Sequence, residues 1–204
     1  MTQAERVARA DRASVVAPAG CGKTELIVRA IEATPSGRSL VLTHTHAGVR
    51  ALRERLARRG VRRDRAQVDT IAGWCLRMAA AYPKGSGLVT PEPARGQWED
   101  VYDGARALLE VRAIRRVVQA SYSNVFVDEY QDCNERQHRV IVALGNLLPC
   151  RVLGDPLQGI FAFAGRALSW QRDVTPEFPL LFTLDEPWRW KDRNEALGRW
   201  LLAA

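Results

Sequence analysis

Lysine is nearly absent from this 204-residue chain: only Lys23, Lys84 and Lys191 occur, and arginine supplies the other 27 of the 30 cations. A merely solvated cation in such a composition is arginine nine times in ten, so a lysine at a site of chemistry stands out. Cysteine is scarce as well. Cys21, Cys75, Cys133 and Cys150 lie far apart with no Cys-x-x-Cys pair, which argues against a zinc site and fits reduced thiols better than a disulfide framework. No apolar run approaches the ~20 residues of a membrane span, and the first ten residues carry Glu5, Arg6 and Arg9 where a secretion signal needs an apolar core. The expectation is a cytoplasmic protein with no membrane partner. Internal repeats and low-complexity tracts are also missing.

What is present is an ordinary globular balance, 47% hydrophobic and 26% charged, which excludes wholesale disorder. The length suits one α/β domain with a real core rather than a two-lobed motor. A net charge of +7 points to an anionic partner. Short apolar runs alternate with helical patterns, the signature of a mostly parallel sheet covered by helices. The pattern predicts strands at 14–17, 39–43, 124–128, 150–154 and 180–184, and helices at 23–33, 46–59, 71–81, 134–147 and 192–202. Residues 82–96 hold three prolines and three glycines and read as a loop; 97–120 reads as one or two helices. Open parallel sheets carry their ligands at the carboxyl ends of the strands, so chemistry is sought there.

After the first strand comes Ala17-Pro18-Ala19-Gly20-Cys21-Gly22-Lys23-Thr24, and then a helix begins. This is a phosphate-binding loop with alanine in place of the first glycine of G-x-x-x-x-G-K-[ST]. Backbone N–H groups of Gly20, Cys21 and Gly22 can turn around phosphate oxygens, and the helix N-terminus adds partial positive charge. Lys23 is placed to reach the β- and γ-phosphates of ATP, and the Thr24 hydroxyl to hold Mg²⁺. The second half of the site is Val125-Phe126-Val127-Asp128-Glu129, an apolar strand ending in two acids. Asp128 can hold the Mg²⁺ through water, and Glu129 can orient and deprotonate the attacking water.

Asp128-Glu129-Tyr130-Gln131-Asp132, together with the phosphate loop, resembles the superfamily 1 DNA helicases of the UvrD/Rep type, and further landmarks follow in that family's order from about Gln3 to Trp190. The resemblance implies Mg²⁺ binding and water activation on Asp128 and Glu129. The stretch from Gly154 to Gly165 is similar to the family's next element, which implies that Gln158 senses the γ-phosphate and that Phe161 and Phe163 stack on bases of single-stranded DNA. A neutral amide can lose its phosphate partner on hydrolysis, and flat aromatic faces accept any base; phenylalanines at this spacing also serve as core plugs. Val41 to His46 resembles the element called motif Ia, so Thr43 and His44 are DNA-contact candidates, with His44 and His46 replacing a phenylalanine and an asparagine of relatives. The two histidines lack a third ligand nearby for a metal site. In Asp69 to Trp74, Ala72 and Gly73 stand where relatives keep a histidine and a serine. Pro187-Trp188-Arg189-Trp190 resembles motif IV, which makes Arg189 the arginine-finger candidate; an arginine between tryptophans can equally be a packed cation–π group. Gln3 sits about where the family keeps an adenine-reading glutamine.

Residues 50–65 hold eight arginines and two acids, so most of the net charge is local. On the helix starting near His46, Val49, Leu52 and Leu56 form the buried stripe and leave Arg58 and Arg59 as candidates for DNA phosphate contact. A solvated helix face explains the same pattern.

The resemblance implies a RecA-like P-loop NTPase fold of three layers: a central mostly parallel sheet and a small helical insertion at about residues 76–120, in one ATP-binding lobe over 1–204. It implies Mg²⁺-ATP hydrolysis coupled to single-stranded DNA, with 3′ to 5′ movement in the full enzyme. The family's later motifs, from a second RecA-like lobe, are not in these residues. The expectation is a piece of a longer reading frame or a degenerate gene product, with a second lobe or a partner protein needed to unwind DNA. Three rivals stand beside it: an ATPase lobe that binds nucleotide and DNA without unwinding, a small-molecule kinase, and a DNA-binding module without turnover.

Overall fold

The computed structural model describes residues 1–18, 20–88, 90, 92–158 and 168–186. Helix α1 (Gln3–Arg9) is followed by β1 (Arg12–Val16), α2 (Lys23–Ala33), β2 (Ser39–Thr43), α3 (His46–Arg58), β3 (Ala66–Thr70) and α4 (Ile71–Ala81). A single turn, α5 (Pro83–Ser86), leads to α6 (Trp98–Glu110) and α7 (Arg112–Ser121), then β4 (Asn124–Val127), α8 (Glu135–Gly145), β5 (Cys150–Gly154), a π-helical turn at Trp170–Val174, and β6 (Leu180–Thr183). The helix predicted over 192–202 lies outside the described residues.

The six strands form one sheet in the order β3-β2-β4-β5-β1-β6, and every pairing is parallel. A parallel sheet must be covered on both faces, and its central strands are accordingly apolar at consecutive positions. Side-chain alternation then sorts them. Leu40, Leu42, Val125, Val127, Cys150 and Val152 join the core under α4, α6, α7 and α8. Val41, Phe126, Leu153 and Val15 join the core under α1, α2 and α3. The result is the three-layer α/β arrangement expected of a RecA-like P-loop fold, with a fully parallel sheet among the described residues.

Two elements depart from the sequence reading. Strand β3 is an edge strand paired with β2 alone, and its Gln67 and Asp69 remain partly exposed, so it lacks the continuous apolar run of a central strand. Helix α1 is only seven residues long, too short to announce itself by periodicity. The helices within about 76–120 lie between β3 and β4 and pack on the sheet: α6 packs on both α4 and α8 and covers one face.

Long-range polar contacts fasten α1. Arg151 of β5 is 3% exposed; its Nη2 donates to the Ala8 carbonyl at 2.6 Å, and its guanidinium lies 5.3 Å from the Phe126 ring centroid. Burial pulls its pKa down to about 10, still high enough to keep the charge at neutral pH. Arg6 of α1 donates to the Leu181 carbonyl of β6 at 3.2 Å and stacks over Phe182.

Tyr130, in the middle of the five-residue acidic element, belongs to the core: it is fully buried, meets Trp170 and Phe178 edge-on, and shares a 2.8 Å hydrogen bond with His138 Nδ1. Beside it the backbone at Gly154 passes so close that an added β-carbon would lie 2.7 Å from the Trp170 ring and 2.8 Å from Gln131 Oε1. Gly154→Ala is therefore expected to destabilise the fold by about 1–3 kcal/mol, read as a lower urea midpoint. An unchanged midpoint would mean that Trp170 and Gln131 yield at no cost.

Candidate functional site

The carboxyl ends of β1 and β4 face the same edge of the sheet with β5 between them. The loop leaving β1 reaches α2 through Gly20 at φ 83° and Gly22 at φ 85°, left-handed conformations that glycine adopts without steric penalty. Gly22 is also the N-cap of α2, so the first N–H groups of that helix are left without a side-chain partner. Cys21 turns its side chain into the core and leaves its backbone at the loop; burial is the main reason its thiol pKa rises, against the pull of Lys23.

Lys23 is the first residue of α2 and is 7% exposed. Its Nζ donates to the Ala17 carbonyl at 3.0 Å and lies 3.2 Å from Glu129 Oε2, so the amine is held back over the loop it caps. The Thr24 hydroxyl donates to Asp128 Oδ2 at 3.3 Å. Asp128 is 5% exposed at the end of β4, and its backbone N–H donates to the Leu42 carbonyl of β2. Burial, then the neighbouring Glu129, push the Asp128 pKa up to about 6, with Lys23 and the Glu129 N–H and Thr24 hydroxyl working the other way. A buried carboxylate short of compensating charge, with a hydroxyl beside it, is a donor set that suits one hard divalent cation.

Glu129 has φ 54° and ψ 44°, the one non-glycine residue with positive φ among those described. That conformation costs on the order of 1–2 kcal/mol and turns the carboxylate toward Lys23 rather than along the strand direction. Gln158 follows β5; its amide Nε2 donates to Asp155 Oδ2 at 2.8 Å.

These groups share one cavity of about 1190 Å³, which takes in Gln3, the loop residues Gly20 to Thr24, Glu129 and Gln158. The predicted Gln3, Gly20, Cys21, Gly22, Lys23, Thr24, Asp128, Glu129 and Gln158 are thus brought together, Asp128 through its bond to Thr24. Phe161, Phe163 and Arg189 lie outside the described residues.

The DNA-contact candidates fare differently. Thr43 is 2% exposed, packed against the start of α3, and offers no surface to a nucleic acid. His44 Nε2 lies 3.5 Å from Cys133 Sγ, and burial lowers its pKa to about 4 even with Glu129 nearby, so it carries no charge for a phosphate at neutral pH. Arg59 turns toward the cavity, 2.7 Å from Glu32 and 3.9 Å from Glu25 on α2, while Arg58 Nε bonds the Glu54 carbonyl of its own helix at 3.4 Å. Much of the arginine stripe is engaged within the fold: Arg53 bonds the Val68 carbonyl, Arg65 the Thr34 carbonyl, and Arg62 pairs with Asp64. Its charge stitches α3 to α2 and β3, a use that composition cannot distinguish from an exposed basic face.

The sequence reading did not single out the acids and arginines of the cavity wall, Glu25, Arg29, Glu32 and Arg55, nor any role for Gln131. The wall residues project from α2 and α3 at helical spacing and looked like ordinary solvated positions. Gln131, two residues after Glu129, carries no signal of its own.

Comparison with known proteins agrees with this architecture. Residues 100–179, from α6 through the acidic element and β5 to the turn before β6, match the model of the UvrD/REP helicase N-terminal domain. A curated relative, an ATP-dependent helicase/nuclease protein of Oenococcus oeni (strain ATCC BAA-331 / PSU-1), is 27% identical over 88 residues, which is 43% of this chain and 7% of that protein. The match therefore spans a small fraction of the relative's length. Residues 100–179 are thus similar to the UvrD/REP helicase N-terminal domain, and the parallel α/β element order around them is consistent with that similarity.

Proposed function

We propose that this domain binds Mg²⁺-ATP in the cavity at the ends of β1 and β4 and hydrolyses it in a cycle coupled to single-stranded DNA, as the nucleotide-binding part of a larger helicase. The observation that carries the reading is the convergence of a buried lysine, a hydroxyl–carboxylate pair, a half-exposed carboxylate and a glutamine amide on one cavity.

The residues fit the ligand. Two left-handed glycines and the uncapped start of α2 provide N–H groups for phosphate oxygens, and Lys23 provides the matching cation without needing to travel far. Thr24 and Asp128 would hold the Mg²⁺, with phosphate oxygens and water completing its shell. When bound, the cation draws negative charge from the phosphoryl group under attack. Glu129 is the base: its carboxylate is open to solvent on one side, so a water can sit against it. Gln158 stands where an amide can meet the terminal phosphate, and Gln3 lines the same cavity from α1. The motif resemblance supports reading the segment after Gln158, with Phe161 and Phe163, as the nucleic-acid contact and supports 3′ to 5′ movement of the larger enzyme.

Lys23→Ala should abolish tight Mg²⁺-ATP binding by calorimetry, and unchanged affinity sinks the assignment of the loop. Glu129→Gln should keep nucleotide affinity while single-turnover phosphate release, with single-stranded DNA and Mg²⁺ present, drops about 100-fold or more. Equal release by variant and wild type would remove Glu129 as the base.

Asp128 yields a pH-dependent expectation. Its folded pKa, about 6, is raised above the ordinary 3.8, so the fold favours the protonated acid. Its contribution is fully present below pH 3.8 and is lost as pH rises through about 6. Asp128→Asn, in chelator without nucleotide, should therefore melt higher than wild type at pH 8, with the advantage vanishing near pH 4. A variant that melts lower at pH 8 contradicts the electrostatic account.

A further inference from the structure

Glu129 Oε2 accepts two contacts, from Lys23 Nζ at 3.2 Å and from Gln131 Nε2 at 2.9 Å. The other end of the same amide, Gln131 Oε1, accepts the backbone N–H of Asp155 at 2.9 Å. Asp155 in turn accepts the Gln158 side-chain amide through Oδ2 at 2.8 Å and the Leu157 N–H through Oδ1 at 3.1 Å. A continuous chain of hydrogen bonds thus runs from the Glu129 carboxylate through Gln131 and Asp155 to Gln158, joining the end of β4 to the segment that leaves β5.

We infer that Gln131 is a positioning residue whose amide fixes the Glu129 carboxylate and ties its place to the Asp155–Gln158 turn. The inference rests on the reading of Glu129 as the base and adds how that base is controlled. Three observations carry it. First, both functional ends of the amide are committed, the donor to a carboxylate and the acceptor to a backbone N–H, so its orientation is determined and cannot flip without losing both bonds. Second, the Glu129 backbone is left-handed and its side chain is 41% exposed, so packing covers the carboxylate only in part and its hydrogen bonds matter for its placement. Third, the Lys23 contact is the one that a bound phosphate competes for. Once the Lys23 amine turns to phosphate, the Gln131 amide is the remaining contact that keeps Glu129 Oε2 in register. The missing β-carbon of Gly154 is what leaves room for Gln131 Oε1 to approach the strand.

The linkage has a direction. A change in Gln158, the amide placed against the terminal phosphate, moves Asp155, releases or draws Gln131, and thereby shifts the carboxylate that activates water. Contact at one end of the turn is converted into base placement at the other, with no side chain of the core obliged to repack.

Gln131→Met removes both hydrogen bonds at similar volume, and Gln131→Glu keeps an acceptor for the Asp155 N–H but loses the donor. Both variants should lower single-turnover phosphate release about 10- to 100-fold while the affinity for a non-hydrolysable Mg²⁺-nucleotide, by calorimetry, stays within about twofold. In a Glu129→Gln background, Gln131→Met should produce no further loss, because it acts through Glu129. A full multiplicative loss in that background, or a fall in affinity matching the fall in rate, overturns the positioning role. A second readout needs no turnover: the Gln131 side-chain amide resonances, assigned by their loss in Gln131→Met, should move when Glu129 is replaced by Ala. Resonances indifferent to Glu129→Ala overturn the inference whether or not the chain hydrolyses ATP. A wild-type chain that binds nucleotide but releases no phosphate counts against the hydrolysis reading instead.

Discussion

Parallel pairing throughout the sheet is the constraint from which the rest follows. Because all strands run the same way, β1, β4 and β5 end at one edge, and whatever follows each of them is delivered to that edge. The loop after β1, the acid pair after β4 and the turn after β5 come from distant parts of the sequence, yet they need no further device to meet. The same pairing demands helices on both faces, which is why α4 and α6 to α8 form a complete layer and why the acidic element must sink a tyrosine, Tyr130, into the core directly beside the residues left for chemistry. Site and core are adjacent positions of one chain segment here: Asp128 and Glu129 face the cavity side, Tyr130 locks the turn beneath them.

Within the site, stability and chemistry pull in different directions. A fold optimised for its own stability would not bury Asp128 beside Glu129 with a pKa near 6, nor hold Glu129 in the left-handed region. Both features are local departures from what the chain prefers, and both sit where a cation and a water would be handled. Lys23 balances part of the charge, but it does so by reaching back to Ala17 and across to Glu129, an arrangement that a phosphate would rearrange.

The central strands were legible in the sequence because burial on both faces writes itself as unbroken apolar runs, and residues 39–43 and 150–154 coincide with β2 and β5. The helix at 23–33 was equally clear, since Gly22 opens it, Pro35 follows it and its apolar positions recur at helical spacing. Strand β3 escaped because edge exposure lets Gln67 and Asp69 interrupt the run, and α1 escaped because seven residues carry too little period. In the cavity, residue types with a strong chemical preference were picked out from sequence and are brought together; residues whose contacts depend on tertiary neighbours were not. Thr43 looked like a surface group at a strand exit and is packed under α3. Arg59 looked like one member of a basic face and is bound to Glu32, because the sequence does not say that α2 and α3 lie side by side. The bond that Gln131 accepts from the Asp155 N–H exists only because β5 places Asp155 within reach.

The fastening of α1 bears on the order in which the cavity comes into being. The loop ending at Thr24 precedes most of the sheet in the sequence, but the helix that carries Gln3 is held by Arg151 of β5 and by the bond from Arg6 to Leu181, the latter two separated by 175 positions. Leu184 itself lines the cavity. A chain emerging from the ribosome therefore possesses the loop long before it possesses the walls of the cavity. Closure of the cavity awaits the pairing of β6 with β1, so whatever the cavity holds is coupled to assembly of the described sheet as a whole rather than to a single strand–helix unit.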